Sequence, residues 1–134
     1  MKLVVDTNVI LSALLKNGDT RDIFTSNIFE FYTLDYVIKE INKYIDYVIE
    51  KTGMMKEEID LLFSIIIENI IIVSDDKIKP NMKIALDIMR DIDLNDAPIV
   101  ACSITIPNDG IWSNDKHFDK QTKIKIYKTK DLIK

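Results

Sequence analysis

Three carboxylates sit where segments of regular structure begin or end and a fourth lies one turn into a helix, and together they describe a site for a hard divalent cation. Asp6 closes the short β-rich run KLVV (residues 2–5), and Asp115 follows the apolar run IWS (residues 111–113). Glu40 lies three residues after Val37 and one before Ile41, at the boundary between the apolar and polar faces of a helical segment. Asp96 falls in the first turn of a further helix, where the positive end of the helix dipole favours an ionised carboxylate. With no cysteine and little histidine nearby, such a set offers oxygen ligands, which select Mg²⁺ or Mn²⁺ over zinc. Those ions lower the pKa of a bound water, orient it in line and neutralise charge building on a phosphate, which is the chemistry of phosphodiester hydrolysis.

Taken singly, each acid has an ordinary explanation. Asp6 and Asp115 follow strands and can cap the helices after them, Glu40 can be a solvated helix residue, and Asp96 can simply complement a dipole. Asp93 with Asn95 can be capping residues, and Asp119 a surface acid. Only convergence in one crevice separates the functional reading from these.

That convergence depends on the elements. Residues 2–5 are a strand, and VILSALLK (9–16) has helical spacing. Thr20 or Asp19 can cap a second helix through Asn27, and FEFYTL (29–34) alternates as strand two. Val37, Ile38, Ile41, Tyr44, Ile45, Val48 and Ile49 recur every three or four residues, which predicts one long amphipathic helix from Asp35 to a stop near Gly53. A helix is expected from about Lys56 to Glu68, and IIIV (70–73) suits a strand buried on both faces. After Pro80 a helix carries Met82, Ala85, Leu86 and Met89 to about Asp91, and another begins around Asn95 with Pro98 in its first turn. Residues 111–113 are strand four, KIKIY (123–127) strand five, and Thr129 caps a short terminal helix. Strands alternating with helices imply parallel βαβ units and a three-layer α/β/α sandwich. Ligands of such sheets bind beyond the carboxyl ends of the strands, where Asp6 and Asp115 stand.

The 134 residues, 47% hydrophobic and 30% charged, suit one domain spanning 1–134, with no low-complexity linker or internal repeat. The apolar stretch near the N-terminus is interrupted by Asp6, Thr7 and Asn8 and lacks a signal-cleavage site, and no run approaches a membrane span, so a cytoplasmic location is expected. The single Cys102, in an apolar run, excludes an internal disulfide and reads as buried filler. His117, the one histidine, sits among charged residues; a lone ligand or base is one reading, and a solvated loop or helix residue is the more ordinary one. A net charge of −4 disfavours a polyanionic partner unless bound cations reverse the field over the acids. Lys116, Lys120, Lys123, Lys125, Lys128, Lys130 and Lys134 make the C-terminal end basic, as a nucleic-acid contact or as plain solvated surface. Trp112 reads as core, and Tyr36, Tyr44 and Tyr47 as packing or dimer contacts rather than an RNA groove.

The segments VVDTNVILSAL, VIKEINKY, DLNDAPIVACS and IWSNDKHFDK, in this order and spacing, resemble PIN-domain nucleases, a group that includes VapC toxins and RNA-processing endonucleases. The resemblance covers almost the whole chain. It implies that Asp6, Glu40, Asp96 and Asp115 form an acidic quartet holding one or two Mg²⁺ or Mn²⁺ ions, with Asn8 supporting the metal shell and Ser113 as the hydroxyl residue before the fourth acid. Asp93 and Asp119 resemble auxiliary acids. The resemblance further implies a PIN-like sheet of about five strands in the order 3-2-1-4-5, an RNA substrate cut to leave a 5′-phosphate, frequent homodimerisation and, for the toxin members, an antitoxin partner. Two rivals are weaker. Phosphatases with an aspartyl nucleophile need a second acid where Asn8 stands, and a non-catalytic RNA- or partner-binding module would not need all four acids.

Overall fold

Three consecutive residues of the first strand, Leu3, Val4 and Val5, are fully buried, which requires a strand covered on both faces and paired on both edges. The computed structural model, which describes residues 1–133, places that strand, β1 (Lys2–Val5), at the centre of a five-stranded sheet. β2 (Glu30–Leu34) and β3 (Ile70–Val73) lie to one side, β4 (Gly110–Trp112) and β5 (Ile126–Tyr127) to the other, in the order β3-β2-β1-β4-β5. Every pairing is parallel, with Val4 opposite Tyr32 on β2 and Ile111 on β4. Fold class and strand order are therefore those expected.

The helices are α1 (Thr7–Leu15), α2 (Asp19–Thr25), α3 (Asp35–Lys43), α4 (Ile45–Thr52), α5 (Lys56–Glu68), α6 (Met82–Met89), α7 (Ala97–Thr105) and α8 (Thr129–Leu132). α7 packs on β1, β2 and β4 with α6 beside it, while α1, α2, α4 and α5 pack on one another. Trp112 is fully buried, its ring centroid 4.8 Å from Phe24 and 5.6 Å from Phe31, and its indole N–H donates to Thr129 Oγ1. Cys102 is buried in α7, and burial pushes its thiol up to about 12, so it is filler and not a nucleophile.

Several boundaries differ from expectation. The long helix is two: Tyr44 leaves the helical region (φ −101°, ψ 3°), and its amide bonds back to Ile41 in a tighter turn. α3 leans on α1 and β2 whereas α4 leans on α5 and α1, and the one irregular residue lets each segment follow its own partners. α2 stops at Thr25, short of the left-handed Asn27, and Gly18 rather than a side chain occupies its N-cap. β3 is an edge strand, so Ile71 and Ile72 remain exposed instead of being covered on both faces. β4 is shifted to Gly110–Trp112. β5 is only two residues long because Gln121 accepts from the Ile124 amide and donates to its carbonyl, holding the preceding chain in a turn. Short 3₁₀ turns, unforeseen, cover Asp75–Asn81 and Leu94–Asp96 ahead of α6 and α7. Thr129 is the first residue of α8 rather than its cap; the Asp131 carboxylate accepts from the Lys128 amide instead.

Candidate metal centre

The Asp6 amide donates to the Trp112 carbonyl, continuing the β1–β4 ladder for one more residue before the chain turns into α1. Its carboxylate is therefore fixed by sheet geometry and is only 4% exposed. Oδ2 accepts from the Ser113 hydroxyl at 2.7 Å, and the Ser113 oxygen in turn accepts from the Asp115 amide at 3.1 Å. One buried hydroxyl thus locks the first and fourth acids together. Burial raises the Asp6 pKa first of all, the Asp115 charge adds to this, and the hydrogen bonds from Ser113 and the Thr7 amide oppose it.

Glu40 comes from α3, whose second amide, that of Tyr36, donates to the Asp75 carboxylate from the distant 3₁₀ turn. Glu40 is partly exposed and takes a 2.9 Å bond from Lys43. Asp96 stands at the N-cap of α7. Its carboxyl is pushed up to about 6, first by desolvation and then by the charges of Asp6, Asp93 and Asp115, with His117 opposing. Tyr36 is raised by burial and then by Glu40, Asp96 and Asp6, a second reporter of the same concentrated negative field.

A cavity of about 570 Å³ opens over these groups and is lined by Asp6, Glu40, Asp96 and Asp115 together, with Asn8 and Asp93 beside them. The ordinary readings of two acids are also realised: Asp115 accepts from the His117 amide at the next turn, and Asp93 from the Asn95 amide. Asp119 does not line the cavity; its carboxylate is bonded to Lys128 at 2.9 Å.

Three residues stand where sequence reasoning did not put them. His117 is only partly solvated: its ring is half-exposed, but the 3₁₀ turn Lys116–Lys120, anchored by fully buried Phe118, brings its Nδ1 to 3.3 Å from Asp93, 3.6 Å from Asp96 and 3.3 Å from Asp115. Tyr36 and Tyr44 line the cavity rather than serving only as packing. For Tyr36 the signal was present, since a residue four before Glu40 shares its face of the helix.

A divalent cation suits this donor set. Among the described residues Asp96 Oδ2 and His117 Nδ1 are buried with no hydrogen-bond partner, a costly arrangement for polar atoms unless something binds them. Ligand atoms of Asp93, Asp96 and His117 all lie within 4.8 Å of one another.

Comparison with known proteins agrees with the fold. A search of curated protein sequences gave no match. Among solved structures, one chain in the crystal structure of VapBC2 from Rickettsia felis bound to a DNA fragment from their promoter superposes with a TM-score of 0.73 at 15% identity, covering 96% of this chain and 98% of that one. The family model described as PIN domain matches residues 4–131. On that match, which runs through β1, the acid-lined cavity and β5, the chain belongs to the PIN domain family.

Proposed function

We propose that this protein is a divalent-metal-dependent endoribonuclease that hydrolyses RNA phosphodiester bonds. The observation that carries the reading is the meeting of Asp6, Glu40, Asp96 and Asp115 around one cavity from four separate elements. Asp6, Asp96 and Asp115 would hold the cation, with Glu40 facing them from α3 and Asn8 at the rim. Bound there, Mg²⁺ or Mn²⁺ supplies an activated water and neutralises charge on the phosphate. Ser113 keeps Asp6 and Asp115 in register, since its hydroxyl donates to one and accepts from the backbone of the other. Lys43 holds Glu40 in place from the solvent side.

The deciding experiment is cleavage of defined RNAs with Mg²⁺, with Mn²⁺ or with chelator, run beside Asp6→Asn and Asp115→Asn. Cleavage should require metal, and either substitution should lower it by about 10² or more. Persistence in chelator would remove the mechanism.

The toxin form of this reading, with a cognate antitoxin as protein partner, rests on the resemblance of the sequence motifs. Expression of the chain alone in a bacterial host should then arrest growth, and Asp6→Asn should relieve the arrest. Homodimerisation belongs to the same proposal and is checked by light scattering of the purified chain.

A further inference from the structure

We propose that His117 is a nitrogen ligand of the cation, completing a mixed nitrogen and oxygen centre with Asp93 and Asp96 that favours Mn²⁺ over Mg²⁺. The inference rests on the metal-dependent reading above and adds His117 and Asp93 to its ligands. The His117 ring is half-exposed, yet its Nδ1 is buried. That atom lies 3.3 Å from Asp93 Oδ2, 3.6 Å from Asp96 Oδ2 and 3.3 Å from Asp115 Oδ1, and it hydrogen-bonds to none of them. A ring nitrogen that served as a donor to one acid would be aligned with that acid's oxygen. Here Nδ1 approaches three carboxylates and meets the hydrogen-bond geometry of none, and Asp96 Oδ2 is equally without a partner among the described residues.

The separations suit a coordination shell. Adjacent ligands of an octahedral ion at about 2.1 Å are about 3.0 Å apart, so contacts of 3.3 to 3.6 Å need only a small inward movement. The scaffold supports the placement, because Asp115 accepts from the His117 amide and buried Phe118 fixes the next residue of the turn. An imidazole nitrogen is a poor match for Mg²⁺, which demands oxygen, and a better one for transition ions such as Mn²⁺.

His117 is the only histidine in the sequence, so a histidine-nitrogen signal can have one source. The full chain, stripped of metal and loaded with Mn²⁺, is examined by pulsed electron paramagnetic resonance after growth on ¹⁵N-histidine. A ¹⁵N coupling from a directly bound nitrogen is expected, replacing the ¹⁴N coupling of unlabelled protein. Calorimetric titration of His117→Gln should show Mn²⁺ binding weakened about tenfold or more, with Mg²⁺ binding changed far less, so that the preference between the ions collapses. Asp93→Asn should weaken Mn²⁺ binding while leaving the nitrogen coupling in place. Mn²⁺ bound without nitrogen coupling, or with unchanged affinity in His117→Gln, overturns the proposal. The two readings separate cleanly. Metal-dependent RNA cleavage without nitrogen coupling leaves the nuclease and removes the ligand, whereas nitrogen-coupled Mn²⁺ on a chain that cleaves no RNA does the reverse.

Discussion

The Ser113 hydroxyl donates to Asp6 Oδ2 and accepts from the Asp115 amide, so its removal strands a buried carboxylate oxygen. Ser113→Ala should destabilise the metal-free chain by about 1–3 kcal/mol, read by urea unfolding, because an unmet buried acceptor costs its desolvation. Asp96 makes a prediction of opposite character. Its carboxyl is held at about 6 against an ordinary 3.8, so the folded state keeps the proton more firmly than the unfolded one across that interval. The stability this contributes is present below about pH 4 and is lost as pH rises through about 6. In chelator, the difference in unfolding free energy between the wild type and Asp96→Asn should therefore shift against the wild type over that interval and level off above it. A flat difference would show that the Asp96 environment has been misread. At this scale the placement of Asp6, Asp96 and Asp115 was legible, since the ends of parallel strands and the first turns of helices are marked by hydrophobic period, whereas Glu40, inside its helix, was singled out with the help of the family resemblance. His117 was not legible, because its direction comes from a 3₁₀ turn set by Asp115 and by burial of Phe118, and neither leaves a periodic trace.

Among elements, β4 and β5 approach each other closely at Gly110. Gly110 has φ +153°, and a Cβ there would lie 2.6 Å from the Lys125 carbonyl oxygen, so Gly110→Ala should cost about 2 kcal/mol or more and loosen the strand that leads to Ser113. Thermal unfolding checks this. The start of α3 depends on Asp75, whose carboxylate takes the Tyr36 amide from 39 residues away. Asp75→Ala should lose about 1 kcal/mol by denaturant titration, the usual worth of such a cap, and should impair any activity that needs Glu40. Strand and helix identities were readable from period. The break at Tyr44 was not: Val37, Ile41, Ile45 and Val48 continue an unbroken apolar stripe, and what divides the helix is the pair of neighbours it meets. The shortening of β5 likewise depends on one side chain, Gln121, bonding back to the chain around Ile124.

For the molecule as a whole, the sheet order was anticipated from the family resemblance together with βα alternation, and β1 at its centre makes the acid cluster a property of the entire fold. Binding of a cation to the folded state alone should raise stability by about 2.7 kcal/mol at a hundred times its dissociation constant. Calorimetry of the chain with and without saturating Mn²⁺ measures this, and Asp6→Asn or Asp115→Asn should abolish most of it. Equal melting temperatures in metal and in chelator would mean that the cavity holds no cation.

The bond between Ser113 and Asp6 joins positions 107 apart, and it forms only when β4 has taken its place beside β1. A chain emerging from the ribosome therefore carries no assembled centre until β4 has been made and has paired with β1. Fragments released before Gly110 keep Asp6 but lack both Ser113 and Asp115. Such fragments therefore hold the first acid without the hydroxyl that fixes it or the fourth acid that faces it, and should bind no cation there.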